Sequence, residues 1–212
     1  MVAGTKISDL TDGVTLQDTD EIAVARSGAN RKISGSAISK PGKQTIFIPA
    51  SAMLPAITSG AAVGQLETTT NKQNYKTLDF DATADEYAHF NIALPKSWDL
   101  SAITFQAFWS TTATDADGVA WGLQGVAVSD GDPIDATWGT AVVVTDDAQS
   151  AAGDVLVTAE SGSVTIGGTP ADDDLVLFRI FRDVSDANDD MTEDARLLGI
   201  KLFYVTDAGN DA

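Results

Sequence analysis

Cysteine is absent from this 212-residue sequence, which excludes disulfide bonds, thiolate metal sites and a cysteine nucleophile. His89 is its one histidine, and no Gly-x-Ser-x-Gly turn accompanies it to present a serine nucleophile. No apolar run approaches the ~18 residues of a membrane-spanning helix, and the N-terminus lacks the basic and apolar pattern of a signal peptide. We therefore expect neither an enzyme nor insertion into a membrane.

Basic residues are scarce and unevenly placed. The sequence has 13 Lys and Arg against 31 Asp and Glu, a formal net charge of -18. Residues 1–43 hold six of the bases and five of the acids, so all of the excess negative charge belongs to residues 44–212. A surface this acidic repels the phosphate backbone of nucleic acids and favours solubility. We expect no nucleic-acid partner.

Short segments of alternating apolar residues, separated by turn residues, make up most of the chain. Every second residue from Ile103 to Trp109 is apolar, as is every second residue from Leu198 to Tyr204, so each set is predicted to share one face of a strand. Nine strands are predicted, over residues 75–81, 87–94, 103–111, 119–128, 141–145, 154–159, 163–166, 175–182 and 196–205. Short strands at this spacing predict an all-β fold with an antiparallel, jelly-roll-like β-sandwich.

A breaker cluster around Pro41 and Gly42 divides the chain. We predict an N-terminal module over residues 1–43, an extended crossing segment over 44–73 and the β-sandwich over 74–212. Two strands of the sandwich are apolar on both faces, whereas a two-layer sandwich covers only one face of each sheet. Assembly into a homotrimer would cover the second face. The alternative is that residues 44–66 fold back over their own sheet.

The first forty residues have a pattern of their own. Ile22 and Val24 alternate with alanine, a Gly-containing turn follows, and Ile33 resumes the alternation, which predicts a β-hairpin. A lone hairpin is marginal in water and gains most by packing on a partner or on copies of itself. An ordinary N-terminal hairpin of one globular domain is the alternative.

The order of ISDL at residues 7–10, DTDEIAVARSG at 18–28 and RKISGSAI at 31–38 resembles the N-terminal module of many tailed-bacteriophage fibre, spike and related virion proteins. Residues 87–98, 121–124 and 199–204 more loosely resemble β-sandwich segments of phage structural proteins. The resemblance implies a non-enzymatic fibre, spike or decoration protein, made in the host cytoplasm and attached to the phage capsid or tail. The docking residues that it implies are Ile7, Leu10, Ile22, Val24, Arg26, Arg31 and Ile33.

Acidic loops raise the question of a metal, although no other cofactor is expected. The best calcium candidate lies in residues 183–194, where Asp186, Asn188 and Asp190 stand at alternate positions. Met191 stands where an EF-hand loop requires glycine, so the match is partial. Solvated acidic turns are the alternative interpretation.

Three tryptophans are candidates for a glycan site. Trp98, Trp121 and Trp138 lie near predicted strand ends or loops, with carboxylates or amides close by in the sequence. An exposed tryptophan ring with carboxylate or amide groups nearby is typical of sugar sites on β-sandwiches. Tryptophans are equally common in protein cores. A receptor-binding module for host surface polysaccharide is therefore the alternative to the structural role.

Overall fold

The structure is a computed structural model that describes residues 21–26, 28–34, 42–209 and 211. The chain divides into two units, Met1–Pro41 and Gly42–Ala212, and each is described by itself. Within the described residues no helix combines the length and the apolarity needed to cross a bilayer.

The N-terminal unit contains a two-stranded hairpin. Strand β1 (Glu21–Arg26) pairs antiparallel with β2 (Ala29–Ser34), which places Ile22 opposite Ile33 and Val24 opposite Arg31. Gly28 adopts a φ of +76° in the turn, a conformation that glycine reaches at little cost. The predicted hairpin is confirmed.

The second unit, which we call the body, consists of two antiparallel sheets. Its strands are β3 (Lys43–Pro49), β4 (Leu54–Pro55), β5 (Ala62–Glu67), β6 (Asn74–Phe80), β7 (Glu86–Ala93), β8 (Thr104–Ser110), β9 (Gly118–Val128), β10 (Val142–Asp147), β11 (Leu156–Val157), β12 (Leu175–Arg182) and β13 (Ala195–Val205). The five-stranded sheet has the order β10-β9-β12-β7-β4, and the six-stranded sheet has the order β11-β8-β13-β6-β5 with β3 also paired to β13. The all-β antiparallel architecture is confirmed.

The segment 44–73 takes part in both sheets. It contributes β3 and β5 to the six-stranded sheet and β4 to the five-stranded sheet, so the chain crosses between the layers. All three strands join by backbone pairing at strand edges rather than by lying over a sheet. Residues 163–166, predicted as a strand, make only isolated bridges, such as the one from Val164 to Ile103.

The core lies between the two sheets and follows the predicted alternation. Ile103, Phe105, Ala107 and Trp109 are all 1% exposed or less. Burying an aliphatic or aromatic side chain of this size stabilises the fold by about 1.5–3 kcal/mol. The two layers meet where the ring of Trp121 in β9 packs against Phe80 and Trp109 of the other sheet.

Strand β13 departs from the predicted alternation. Its register with β8 shifts between Leu197 and Gly199, so Leu197 and Ile200 both face the core and Leu198 lies on the outer face. The prediction that Leu198 shares one face with Ile200, Leu202 and Tyr204 is therefore wrong. A β-bulge at this point reverses the alternation, so Leu198 lies on the opposite face. Gly199 permits the close approach of β3, because a Cβ there would lie 2.6 Å from the Phe47 ring.

Part of the second apolar face is covered within the chain. Phe181, on the outer face of β12, is only 7% exposed. Its ring lies over Gly122, where a Cβ would come within 2.2 Å of the ring, and it lies 5.7 Å from Tyr87. The homotrimer, inferred from doubly apolar strands, stays a prediction.

Candidate binding surfaces

Arg182 anchors the acidic loop that follows β12. Its side chain is 0% exposed and that of its partner Asp189 is 1% exposed. The guanidinium donates to the Asp189 carboxylate from Nη2 at 2.8 Å and from Nε at 3.0 Å. Its other N–H groups donate to the carbonyl oxygens of Phe80, Met191 and Glu193. Every donor of the buried arginine is therefore satisfied.

The predicted calcium ligands take part in the loop's own hydrogen bonds. Asp186 Oδ1 accepts from the backbone N and the Nδ2 of Asn188, both at 2.9 Å. Asp190 Oδ1 accepts from the backbone N of Gly118 at 2.7 Å. In the part of the chain that the structure describes, no three His, Asp or Glu side chains gather as a metal site would require. Calcium binding at Asp186, Asn188 and Asp190 stays a prediction from sequence.

Trp98 and Trp121 lie in the core. Trp121 is 0% exposed and Trp98 is 3% exposed. A sugar stacks on a free ring face, so the assignment of these two residues to a glycan site is corrected. Trp121 belongs to the inward-facing set of β9 together with Val119 and Leu123, which are also fully buried.

Trp138 lies on the outer face of the five-stranded sheet, above one cross-strand row. In that row His89 of β7 pairs with Arg179 of β12, and Arg179 pairs with Gln124 of β9. The Trp138 and His89 rings are stacked, with centroids 5.8 Å apart and planes inclined by 12°. The Arg179 guanidinium lies 5.2 Å from the Trp138 ring centroid and 4.7 Å from that of Tyr87. We call these five residues the Trp138 platform.

Hydrogen bonds hold the platform in place. Arg179 Nε donates to Gln124 Oε1 at 3.0 Å, and Gln124 Nε2 donates to the Gly139 carbonyl oxygen at 3.0 Å. The Gly139 backbone N also donates to the carbonyl oxygen of Gly125, at 3.0 Å, and this ties the Trp138 loop to β9. Within the described residues Arg179 makes no ion pair. No carboxylate among the described residues therefore neutralises its charge.

The platform lowers the proton affinity of His89. Partial burial is the larger of two causes that lower the pKa of His89 below its ordinary value, and repulsion from the Arg179 cation is the smaller. Both causes favour the neutral ring. A neutral imidazole stacks on Trp138 without the hydration that a cation would demand.

Acidification is expected to destabilise the body through His89. The unfolded imidazole binds its proton at a higher pH than the folded one, so the stability that His89 contributes is present above its unfolded pKa of about 6.5 and is lost as the pH falls through the folded value. Urea unfolding of the natural chain and of His89→Gln, from about pH 8 to pH 5, measures this loss. Because His89 is the one histidine, the difference between the two chains isolates it. A difference that does not vary with pH would contradict the expectation.

Sequence reasoning identified part of the platform. It proposed Trp138, and it noted His89 as the one histidine of the sequence. Arg179 was missed, because its position between His89 and Gln124 depends on the register between β7, β12 and β9. No local pattern in the sequence specifies that register.

The hairpin presents apolar side chains to solvent. Ile22 is 40% exposed and Ile33, directly opposite it, is 37% exposed. Of the predicted docking residues, Ile7 and Leu10 lie outside the described residues. The hairpin contains the others, namely Ile22, Val24, Arg26, Arg31 and Ile33.

No family model matches the sequence, and no curated protein matches it. Among solved structures the chain is similar to the CBM36-1 domain of a multidomain xylanase from the hindgut metagenome of Trinervitermes trinervoides, at 7% identity and a TM-score of 0.38, covering 75% of this chain and 96% of that one. It is similar to CBM28, a carbohydrate-binding module specific for non-crystalline cellulose, at 14% identity and a TM-score of 0.39, covering 74% and 85%. A protein of unknown function from Shewanella oneidensis MR-1 is similar at 12% identity and a TM-score of 0.31, covering 79% and 88%. Likenesses this distant carry no argument about function.

Proposed function

We propose that the chain is a non-enzymatic structural protein of a tailed-phage virion, a short fibre, spike or decoration attached to the head or tail through its N-terminal hairpin. The observation that carries the proposal is the separate hairpin unit, with Ile22 and Ile33 exposed on facing strands. The resemblance of residues 7–38 to phage attachment modules supports the same role.

The hairpin has little to stabilise it by itself. A two-stranded ribbon is marginal in water, and its Lys32–Glu21 ion pair is exposed, so it adds little. Burial of two isoleucines against a virion protein would supply about 1.5–3 kcal/mol for each side chain fully buried. Docking is thus the step that gives the hairpin a defined environment.

The body is the part displayed on the particle exterior in this proposal. Its acidic charge limits non-specific association between densely arrayed copies. Several large apolar side chains of the body remain well exposed, among them Leu54 at 74%, Val63 at 71% and Ile134 at 82%. Burial of such side chains between copies would stabilise the homotrimer that the proposal includes, and the native mass in solution measures it directly.

Charged substitutions at the hairpin should prevent incorporation into particles. We expect the full-length chain with Ile22→Asp and Ile33→Asp to fold its body normally yet to fall at least tenfold in purified virions, since two desolvated charges oppose docking. A tagged copy is produced during phage growth, and the tag is measured per particle.

The matched control is Ala151→Asp with Ala152→Asp, which adds the same two charges at exposed turn positions in the body. Its incorporation should equal that of the natural chain. Normal incorporation of the hairpin variant, with its folding verified, would refute the docking proposal.

A second function, recognition of a host surface polysaccharide, is supported by the Trp138 platform. Trp138 is held flat against His89 and next to Arg179, whose charge has no carboxylate partner within the described residues. A fixed indole beside a guanidinium and an amide combines a stacking surface with hydrogen-bond donors for hydroxyl groups. The virion protein would then both decorate the particle and contact the host.

Loss of the indole should weaken that recognition. We expect Trp138→Ala to lower the affinity of the full-length chain for host polysaccharide about five- to thirtyfold, because one well-placed stacking contact is worth about 1–2 kcal/mol. Titration calorimetry with polysaccharide extracted from the host measures the affinity. Lys96→Gln, which alters a charge elsewhere in the body, should change nothing, and equal affinity of Trp138→Ala would reject the platform as the site.

A further inference from the structure

The six-stranded sheet splits into a fork at the bulge of β13. Before the bulge, Leu197 of β13 pairs with Leu78 of β6, and after it Gly199 pairs with Pro49 of β3. The pairing of β13 with β6 covers only residues 195–197, so the first part of β6 diverges from β13. Leu198 lies at the branch point.

A groove occupies the space between the two arms of the fork. It has a volume of about 520 Å³ and is lined by the rings of Phe47, Tyr75 and Phe108 together with Val155 and Leu198. Its polar lining comes from Ser51, Asn74 and Lys76. A volume of this size and a mainly apolar wall with few polar groups are typical of small-ligand sites. We call this space the fork groove.

A smaller inner lobe adjoins the fork groove. It has a volume of about 150 Å³ and shares Tyr75, Val155 and Leu198 with the groove. Ser110 also lines this lobe; it is 2% exposed, and its hydroxyl has no hydrogen-bond partner among the described residues. An unpaired buried hydroxyl is costly to the fold, so its presence here favours a ligand that supplies the missing partner.

Positive charge gathers on the same sheet. Eight Lys and Arg lie between residues 42 and 212, and five of them belong to the six-stranded sheet or to the turn between β5 and β6, namely Lys43, Lys72, Lys76, Arg196 and Lys201. Carboxylates neutralise three of these.

Lys76 and Lys201 have no ion-pair partner within the described residues. Lys76 Nζ donates to Gln65 Oε1 at 2.8 Å, and Lys201 Nζ lies 5.1 Å from the ring of Phe108. Lys76 thus lines the groove and Lys201 lies over a ring that lines it, on a body that is otherwise strongly acidic. An anionic ligand would be steered to this face and away from the rest of the surface.

We propose that the fork groove binds an acidic sugar residue of a polysaccharide. The apolar face of the sugar ring lies against Tyr75 and Phe47, its carboxylate pairs with Lys76 Nζ, and a hydroxyl reaches Ser110 in the inner lobe. Charge-assisted hydrogen bonds to the carboxylate account for the preference for an acidic sugar. The site lies on a different sheet from the Trp138 platform, and it does not depend on the docking role of the hairpin.

The test uses the full-length chain and three acidic oligosaccharides, built of galacturonate, guluronate and sialate, each compared with its neutral methyl ester. Titration calorimetry should detect at least one acidic form, with its ester bound at least tenfold more weakly. Tyr75→Ala should weaken binding at least tenfold. Lys76→Gln should weaken binding of the acid at least tenfold, to the level of the ester, and so remove the preference for the acid.

Ser110→Ala separates a ligand-binding hydroxyl from a structural one. We expect its melting temperature to equal or exceed that of the natural chain, because an unpaired hydroxyl is removed, while its affinity for the acidic oligosaccharide falls severalfold. Lys96→Gln, which removes the same charge as Lys76→Gln from an exposed ion pair with Asp173, should bind normally. Trp138→Ala should also bind normally, so loss of the platform and loss of the groove give different results.

Three outcomes would overturn the proposal. The first is that no acidic oligosaccharide binds at millimolar concentration, and the second is that acid and ester bind equally. The third is that Tyr75→Ala or Lys76→Gln changes the native mass of the chain in solution, which would identify the fork groove as a contact between copies.

Discussion

Replacing Asp189 by alanine is expected to destabilise the body by about 3–5 kcal/mol. The variant leaves the Arg182 guanidinium buried without its counter-ion. The desolvation cost of that cation is unchanged, while the two bonds at 2.8 and 3.0 Å that offset it are lost. The backbone N of Ala120, which donates to Asp189 Oδ2 at 3.0 Å, also loses its acceptor.

The loop after β12 should loosen before the rest of the body unfolds. Arg182 joins the carbonyl oxygens of Met191 and Glu193 to that of Phe80 in β6, so the cation connects the loop to the six-stranded sheet. Urea unfolding gives the change in free energy, and amide hydrogen exchange over residues 183–194 reports the local opening.

The matched control is the exposed ion pair between Lys96 and Asp173, whose atoms lie 3.6 Å apart. Asp173→Asn should cost less than about 1 kcal/mol, because water already screens this pair and asparagine tolerates the φ of +68° at this position. A cost for Asp189→Ala no larger than that of the control would show that the buried pair does not anchor the loop.

Trp121→Ala is expected to cost about 3–5 kcal/mol, through a cavity between the two sheets. The indole packs edge-on against Phe80, with centroids 5.2 Å apart, and lies 6.4 Å from the Trp109 ring. Its removal therefore takes contacts from both layers. The same variant should leave polysaccharide binding unchanged wherever it remains folded, since Trp121 is 0% exposed.

Phenylalanine variants separate the packing of the two tryptophans from their hydrogen bonding. Trp121 Nε1 has no acceptor among the described residues, so Trp121→Phe removes an unpaired donor along with part of the ring. Trp109 Nε1 donates to Asp146 Oδ2 at 2.8 Å, and burial already raises the pKa of that carboxyl above its ordinary value. Trp109→Phe withdraws the donor that offsets this burial. We expect costs in the order Trp121→Ala, then Trp109→Phe, then Trp121→Phe, as measured by thermal unfolding.

A different order would require a different account of the core. If Trp121→Phe lowers the stability as much as Trp121→Ala, the indole N–H must donate a stabilising hydrogen bond. If Trp109→Phe is the mildest of the three, the bond to Asp146 contributes nothing to stability.

Much of the architecture follows from local pattern. The period of two over Ile103 to Trp109 predicted a strand with one buried face, and the Gly-containing turn between two alternating segments predicted the hairpin. Both were confirmed, because the preference of a strand for one face depends on residues close together in the chain. The bulge in β13 escaped prediction, because Leu197 and Leu198 are chemically equivalent and only the pairing with β8 and β3 decides which one turns inward.

The binding surfaces depend more on tertiary structure. Trp98, Trp121 and Trp138 look alike as candidates in the sequence, yet two fill the core and one lies on a sheet surface. Arg179 and Gln124 became part of the platform through cross-strand register. The fork groove arises where β13 changes its partner strand from β6 to β3. No local pattern in the sequence predicts this change.

The sequence by itself determined the all-β class, the N-terminal hairpin and the acidity of the body, because these follow from composition and from short-range alternation. Only the tertiary structure decided which aromatic rings are buried, which cations lack an acid partner within the described residues and where an apolar groove opens. Those properties depend on bringing together residues far apart in the chain, such as His89 with Arg179 in one cross-strand pair, and Tyr75 with Leu198 in the lining of one groove. Strand register sets such contacts, and a shift of one residue would move every side chain to the opposite face.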